Sequence, residues 1–232
     1  MRFVSTRGRA PELDFEGALL EGLARDGGLY VPDALPELPG ELPTSYVDVA
    51  AIVTGLDAGV LAEAYATFDH PAVCPVVALD DGLWVQELWH GPTLAFKDVA
   101  LQLVGRLMDA ALEQRGERRT IVVATSGDTG SAAIAACVGR ANLDIVVLHP
   151  AGRVSDVQRR QMTTVHEPNV HNVAIEGTFD DCQDLVKVLF ADAAFRDAMQ
   201  LGAMNSINWG RVLAQITYYV TAQLALGHPC TF

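Results

Sequence analysis

The chain has 232 residues, half of them apolar, and its 29 acidic against 16 basic side chains give a formal charge of −13. That composition can bury a sizeable core in one or two domains. The acidic balance, with no Lys/Arg stripe to track a phosphodiester backbone, argues against nucleic acid as a partner.

Cys74, Cys137, Cys182 and Cys230 show no C-x-x-C spacing, and three of them stand among apolar residues, so they read as reduced thiols of a cytoplasmic protein. No secretory h-region follows Arg2, Arg7 and Arg9, because Pro11, Glu12, Asp14 and Glu16 interrupt the segment. Apolar runs such as 145–148 fall far short of the roughly 20 residues a bilayer span needs, so no membrane association is expected.

Along the chain, residues 1–75 read as a mixed α+β N-terminal region wrapping a larger body. Gly27-Gly28-Leu29-Tyr30-Val31-Pro32 is a turn leading into an extended piece, and Pro32, Pro36, Pro39 and Pro43 forbid regular helix after it. From residue 76 to 232 the pattern is α/β. Segments 73–79 and 83–88 predict a hairpin about Asp80-Asp81-Gly82. Phe96, Val99, Ala100, Leu103, Val104, Leu107, Ala111 and Leu112 fall at the spacing of a helix with one buried face. Then come a strand at 120–124, an alanine-rich helix at 131–138, a strand at 145–148, a helix at 154–162 and a strand at 170–175. Thr178 with Asp181 resembles a capping box opening a helix that carries Leu185, Val186, Leu189 and Phe190 on one side. A last amphipathic helix runs over about 208–226. This alternation predicts a parallel sheet with helices on both faces.

Three motifs carry chemistry. Lys97 stands in the first turn of the long helix, where the positive end of the helix dipole disfavours the ammonium form and favours a neutral, nucleophilic amine. The alternative is an ordinary solvated lysine. Before it, His90-Gly91-Pro92-Thr93 forms a tight turn with Thr93 as candidate N-cap and His90 as a structural hydrogen-bonder, while Asp98 faces away from Lys97. Thr125-Ser126-Gly127-Asp128-Thr129-Gly130 lies between strand and helix. It fits neither a Walker nor a Rossmann loop, and a single Asp-Thr-Gly cannot make an aspartic protease dyad. It remains an anion cradle facing a Schiff-base lysine, or a βα turn without a ligand.

The third motif, Asn205-Ser206-Ile207-Asn208-Trp209-Gly210-Arg211, offers amide, hydroxyl and guanidinium donors for a phosphate or carboxylate. Equally, Ser206 or Asn208 caps a helix and Arg211 is exposed. His166, Glu167 and His171 are split by Pro168 and read as a surface loop rather than a metal site.

Taken in order, Ser5-Thr6-Arg7-Gly8, the Asp26–Pro32 stretch, His90 through Asp98, Thr125 through Gly130 and Asn205 through Arg211 resemble the threonine synthase family of fold-type II pyridoxal-phosphate (PLP) enzymes. The resemblance implies that Lys97 holds PLP and shuttles protons at the α and β carbons of O-phosphohomoserine. Phosphate leaves from the γ carbon, water adds at the β carbon, and threonine results. It further implies that Ser126, Gly127, Asp128, Thr129 and Gly130 flank the cofactor and that Thr125, Ser126 and Thr129 hold the substrate carboxylate. Asn205, Ser206, Asn208 and Arg211 are then the candidates for the substrate phosphate.

Family members are longer, and their glycine-rich loop for the cofactor phosphate lies beyond the third motif. The chain is therefore expected to be C-terminally truncated, with uncovered apolar faces and sheet edges that favour self-association or pairing with another chain. Two competing expectations are an amino-acid dehydratase of the same fold, although Ala95 stands where those enzymes carry serine, and a remnant without turnover.

Overall fold

The computed structural model describes residues 2–35, 37–204, 208–227 and 230–232. Strand β1 (Phe3–Ser5) pairs antiparallel with β2 (Tyr30–Pro32), and helix α1 (Phe15–Glu21) lies between them in sequence. Asp14 caps α1 by accepting from Gly17 N–H at 2.7 Å. Asp26 ties the layer together, accepting from Ser5 Oγ at 2.7 Å, Gly28 N–H at 2.9 Å and Arg9 N–H at 2.9 Å. Desolvation pushes its carboxyl up, but these donors outweigh it and lower the pKa to about 2.

Helices α2 (Tyr46–Thr54) and α3 (Ala58–Tyr65) follow, then the predicted hairpin, β3 (Val76–Asp80) with β4 (Leu83–Gln86). The long helix is α4 (Lys97–Arg115), closed by Gly116 at φ +64°. After it the chain alternates: β5 (Arg119–Ala124), α5 (Asp128–Cys137), β6 (Leu143–Pro150), α6 (Asp156–Thr163), β7 (Val170–Ile175) and α7 (Phe179–Ala191). The capping box of Thr178 and Asp181 opens α7 as expected. Short α8 (Ala193–Ala198) and two-residue β8 (Leu201–Gly202) precede α9 (Trp209–Leu226).

Four strands form one wholly parallel sheet in the order β7-β6-β5-β8. Alternation along β5 and β6 sends Ile121, Val123, Ile145 and Val147 into a core with α4 and α5, while Val122 and Leu148 pack on the opposite face against Cys182 of α7. Both faces are thus covered at the sheet's centre. At the edge, Val173 of β7 is exposed, and so is Leu185, which leaves the buried side of α7 to Val186, Leu189 and Phe190. Gly105 lets α4 and α5 meet backbone to backbone, since a Cβ there would lie 2.5 Å from the Ala136 carbonyl oxygen.

The N-terminal helices share a core with this body: Tyr46, Ala50, Leu61 and Tyr65 pack with Val99, Leu103 and Tyr218. Cys74, Cys137 and Cys182 are buried free thiols. Among the described residues, no helix is long and apolar enough to cross a membrane.

Candidate functional site

Lys97 is presented by a strained turn. Leu94 N–H donates to Gly91 C=O at 3.1 Å, closing a turn in which Leu94 adopts φ +61°, an uncommon conformation for a branched side chain. Asp98, fully buried, braces it by accepting from Thr93 N–H and Thr93 Oγ1, each at 2.7 Å. This reverses the expected direction, because Thr93 does not cap α4. The helix's own carboxylate reaches back to hold the turn. Gly91 must be small here, since a Cβ would lie 2.6 Å from Asp98 Oδ2. Burial pushes the Asp98 carboxyl up, against the donors from Thr93.

With Asp98 turned away, the Lys97 amine points to the loop after β5. Its Nζ lies 3.4 Å from Asp128 Oδ2 and 4.4 Å from the Phe96 ring centroid, and the side chain is 17 % exposed. The other oxygen of Asp128 accepts from Gln158 Nε2, which links the pair to α6. Sequence reasoning missed both Gln158 and the role of Phe96. The helical spacing puts Phe96 on the buried face, whereas the residue is 40 % exposed and its ring stands near both Lys97 and Arg211.

Thr125 shapes the loop. Its buried Oγ1 accepts from Gly127 N–H and Gly130 N–H, both at 2.9 Å, so its lone pairs hold the loop together and its O–H is the group left to donate. Gly127 takes φ +147°, where a Cβ would also collide with the Gln158 amide. Gly130 is as constrained, with Met162 Sδ and Thr125 Cγ2 each 2.5 Å from any Cβ. Ser126 is exposed and Thr129 lines the cavity.

That cavity, of about 1170 Å³, opens at the carboxyl ends of β5 and β8. The chain steps from β5 to β6 to β7 in one direction and then returns to place β8 on β5's other flank. A parallel sheet leaves a ligand crevice at such a reversal. Six basic side chains (Arg25, Lys97, Arg119, Lys187, Arg196, Arg211) line it against two acidic ones, Glu21 and Asp197.

Most of these cations are paired: Arg25 with Glu21, Arg119 with Glu117, Lys187 with Asp184 and Arg196 with Asp197. Arg211 differs. Among the described residues it has no carboxylate partner, its buried Nε has no acceptor, and its guanidinium carbon lies 5.8 Å from the Phe96 ring centroid. Burial holds its pKa below the usual arginine value. The reading of an exposed Arg211 is therefore corrected.

Asn208 is buried and structural as well: it caps α9 by accepting from Gly210 N–H at 2.9 Å, and its amide donates to Leu19 C=O at 2.7 Å, so it locks α9 to α1. Asn205 and Ser206 lie outside the described residues.

A parallel sheet covered by helices, with a lysine and an arginine in the crevice at its strand reversal, defines a class. The chain belongs to the pyridoxal-phosphate dependent enzyme family, whose sequence pattern matches residues 72–230. Within that class its kin are threonine synthases, and residues 2–56 match the threonine synthase N terminus. The chain is 54 % identical to threonine synthase of Pseudomonas aeruginosa over 99 % of its own length and 52 % of the relative's. For threonine synthase of Schizosaccharomyces pombe the identity is 44 %, over 97 % and 48 %. The crystal structure of PLP-bound threonine synthase from Brucella melitensis superposes with a TM-score of 0.93 at 56 % identity, covering 99 % of this chain and 53 % of that one. The chain spans about half the length of the curated relatives it matches, and its architecture is the fold-type II one that the resemblance implied.

Proposed function

We propose that this chain provides the lysine-bearing part of a PLP-dependent threonine synthase, which converts O-phosphohomoserine and water to threonine and phosphate. The observation that carries this reading is the Lys97 amine, mostly buried and directed into the crevice beside Asp128. PLP, when bound, supplies the electron sink that makes the substrate's α and β carbons acidic.

The residues present fit that cofactor. Lys97 is the group to hold its aldehyde and, once released, to move protons at the α and β carbons. Gly127 and Gly130 let the loop pack tightly on Gln158 and Met162, with their N–H groups committed to Thr125, and so fix the shape of the segment that flanks the cofactor. Asp128 and Thr129 begin α5, where a helix start offers N–H groups to an anion, so these and the hydroxyls of Ser126 and Thr129 are the donors for the substrate carboxylate. Arg211, desolvated and without a carboxylate partner among the described residues, suits the substrate phosphate, with Asn205 and Ser206 as neighbours in sequence. Buried free thiols support a cytoplasmic location. Exposed Leu79, Trp84 and Val188 support self-association, which light scattering of the purified chain would read.

The chain has only two lysines, Lys97 and Lys187. Incubation with PLP, reduction by borohydride and peptide mapping should place the pyridoxyl group on Lys97, with exposed Lys187 as internal control. Labelling confined to Lys187 would overturn the proposal. Release of phosphate from O-phosphohomoserine, without ammonia from serine, separates this activity from a dehydratase.

A further inference from the structure

The turn that presents Lys97 is gripped from its other side by His90, whose ring meets a carboxylate at each nitrogen. Nδ1 lies 2.5 Å from Asp69 Oδ1, and Nε2 lies 2.7 Å from Glu87 Oε2. An ionised carboxylate only accepts. A neutral imidazole, with one N–H and one lone pair, would satisfy one contact and set its lone pair against the other, so the two together require the doubly protonated ring. The side chain is 15 % exposed. Asp69 follows α3 and Glu87 follows β4, and His90 C=O also accepts from Asp69 N–H at 3.0 Å, so one ring joins separate segments. The next residue, Gly91, begins the strained turn and packs on Asp98.

The remaining titratable neighbour is His70, with ring centroids 5.1 Å apart. Its Nδ1 accepts from Ala72 N–H at 3.1 Å and so keeps a lone pair there. Trp89 stacks at 6.1 Å and adds no charge.

We propose that His90 is a positioning residue that works as an imidazolium: the charged ring clamps the Asp69 and Glu87 segments onto the Gly91–Leu94 turn and so fixes the Lys97 amine at the crevice, and loss of its proton loosens that amine. This rests on the reading of Lys97 as the cofactor lysine. The hydrogen bond to Glu87, ahead of the opposing effect of burial and the contact with Asp69, raises the His90 pKa above its ordinary 6.5. Because the folded value is the raised one, the clamp's contribution is complete below the ordinary imidazole range and is lost as pH rises through the higher folded value.

The test uses the 232-residue chain labelled with ¹⁵N-histidine, with His90 assigned through His90→Gln. At about pH 7.5, where unperturbed histidines are mostly neutral, both His90 nitrogens should carry protons. In the double variant Asp69→Asn/Glu87→Gln, His90 should have lost the second of these protons at the same pH. A neutral His90 in the wild-type chain at that pH overturns the proposal.

The link to Lys97 is read twice, each time as a Lys97 to Lys187 ratio: by reductive methylation with formaldehyde and cyanoborohydride, and by borohydride-fixed pyridoxyl. His90→Gln should lower pyridoxyl fixation at limiting PLP by roughly tenfold, the scale of a modest misplacement of a reacting group. The wild-type methylation ratio should break across the His90 titration, and the double variant should show no break. If wild type and His90→Gln label Lys97 equally at every pH, the positioning role is wrong while the cofactor reading stands. If the wild-type chain takes no pyridoxyl on Lys97, the cofactor reading fails and the methylation ratio alone decides whether the clamp exists.

Discussion

The carboxylate of Asp128, first residue of α5, stands 3.4 Å from the amine of Lys97, first residue of α4. Two helix starts therefore converge here, and the Asp128 carboxylate bridges them while Asp98 turns away to hold the Thr93 turn. Lys97→Ala should leave the fold intact, because Asp128 is the one ion-pair partner of this side chain among the described residues. It should abolish pyridoxyl fixation there and, on the function proposed above, cut phosphate release from O-phosphohomoserine by about 10³-fold or more, the scale of losing a reacting group. Residual fixation above the Lys187 background in the peptide map would refute the assignment.

Thr125→Val keeps shape and removes an acceptor. The Gly127 and Gly130 N–H groups would then be left in a buried loop without their partner. Unpaired buried donors cost about 1–3 kcal/mol, so thermal unfolding should move to clearly lower temperature. Thr125→Ser, which restores the oxygen, should recover most of the loss.

Arg211→Met should weaken anion binding more than it weakens the fold. Among the described residues the guanidinium has no carboxylate partner, so its removal leaves no unpaired acid among them. Calorimetric titration with inorganic phosphate should show affinity falling by about 10- to 100-fold, as expected for a desolvated cation facing an anion. An unchanged phosphate isotherm would remove Arg211 from the site.

Acid should loosen the N-terminal layer through Asp26. Its folded pKa, about 2, lies below the ordinary 3.8, so the stabilisation is present above the ordinary value and is lost as pH falls through about 2. Urea midpoints measured from about pH 5 down to about pH 2 should fall for the wild-type chain, and Asp26→Asn should flatten that limb. Parallel slopes for the two proteins would assign the acid sensitivity elsewhere.

Local rules carried far in this chain. Branched apolar residues at 170–175 and the Thr178–Asp181 pair mark β7 and the start of α7 without any tertiary information, and the spacing from Val99 to Leu112 marks α4. Lys97 and the 125–130 loop could be singled out because each sits at a strand–helix or turn–helix junction with chemistry that packing alone does not require. Other features depend on contacts between distant segments. β8 has only two residues, and its existence rests on pairing with Thr120 and Ile121. Asn208 and Arg211 are three apart on one helix start, yet the first is taken by Leu19, distant in sequence, and the second is left to the crevice. Nothing in the motif distinguishes them. Thr93 stands out as a candidate cap, but its pairing with Asp98 depends on a turn with a left-handed leucine, which residue type does not announce.

The shortness of β8 has a dynamic consequence. One rim of the crevice hangs on a two-residue ladder beside β5, whereas the opposite flank of β5 is zipped to β6 along six register pairs. Fluctuations that admit solvent should therefore begin on the β8 side while the β5–β6 seam stays shut, because small hydrogen-bonded units open at lower free energy than long ones. The rim next to Arg211 is thus built to breathe, and the seam beneath the 125–130 loop to stay still.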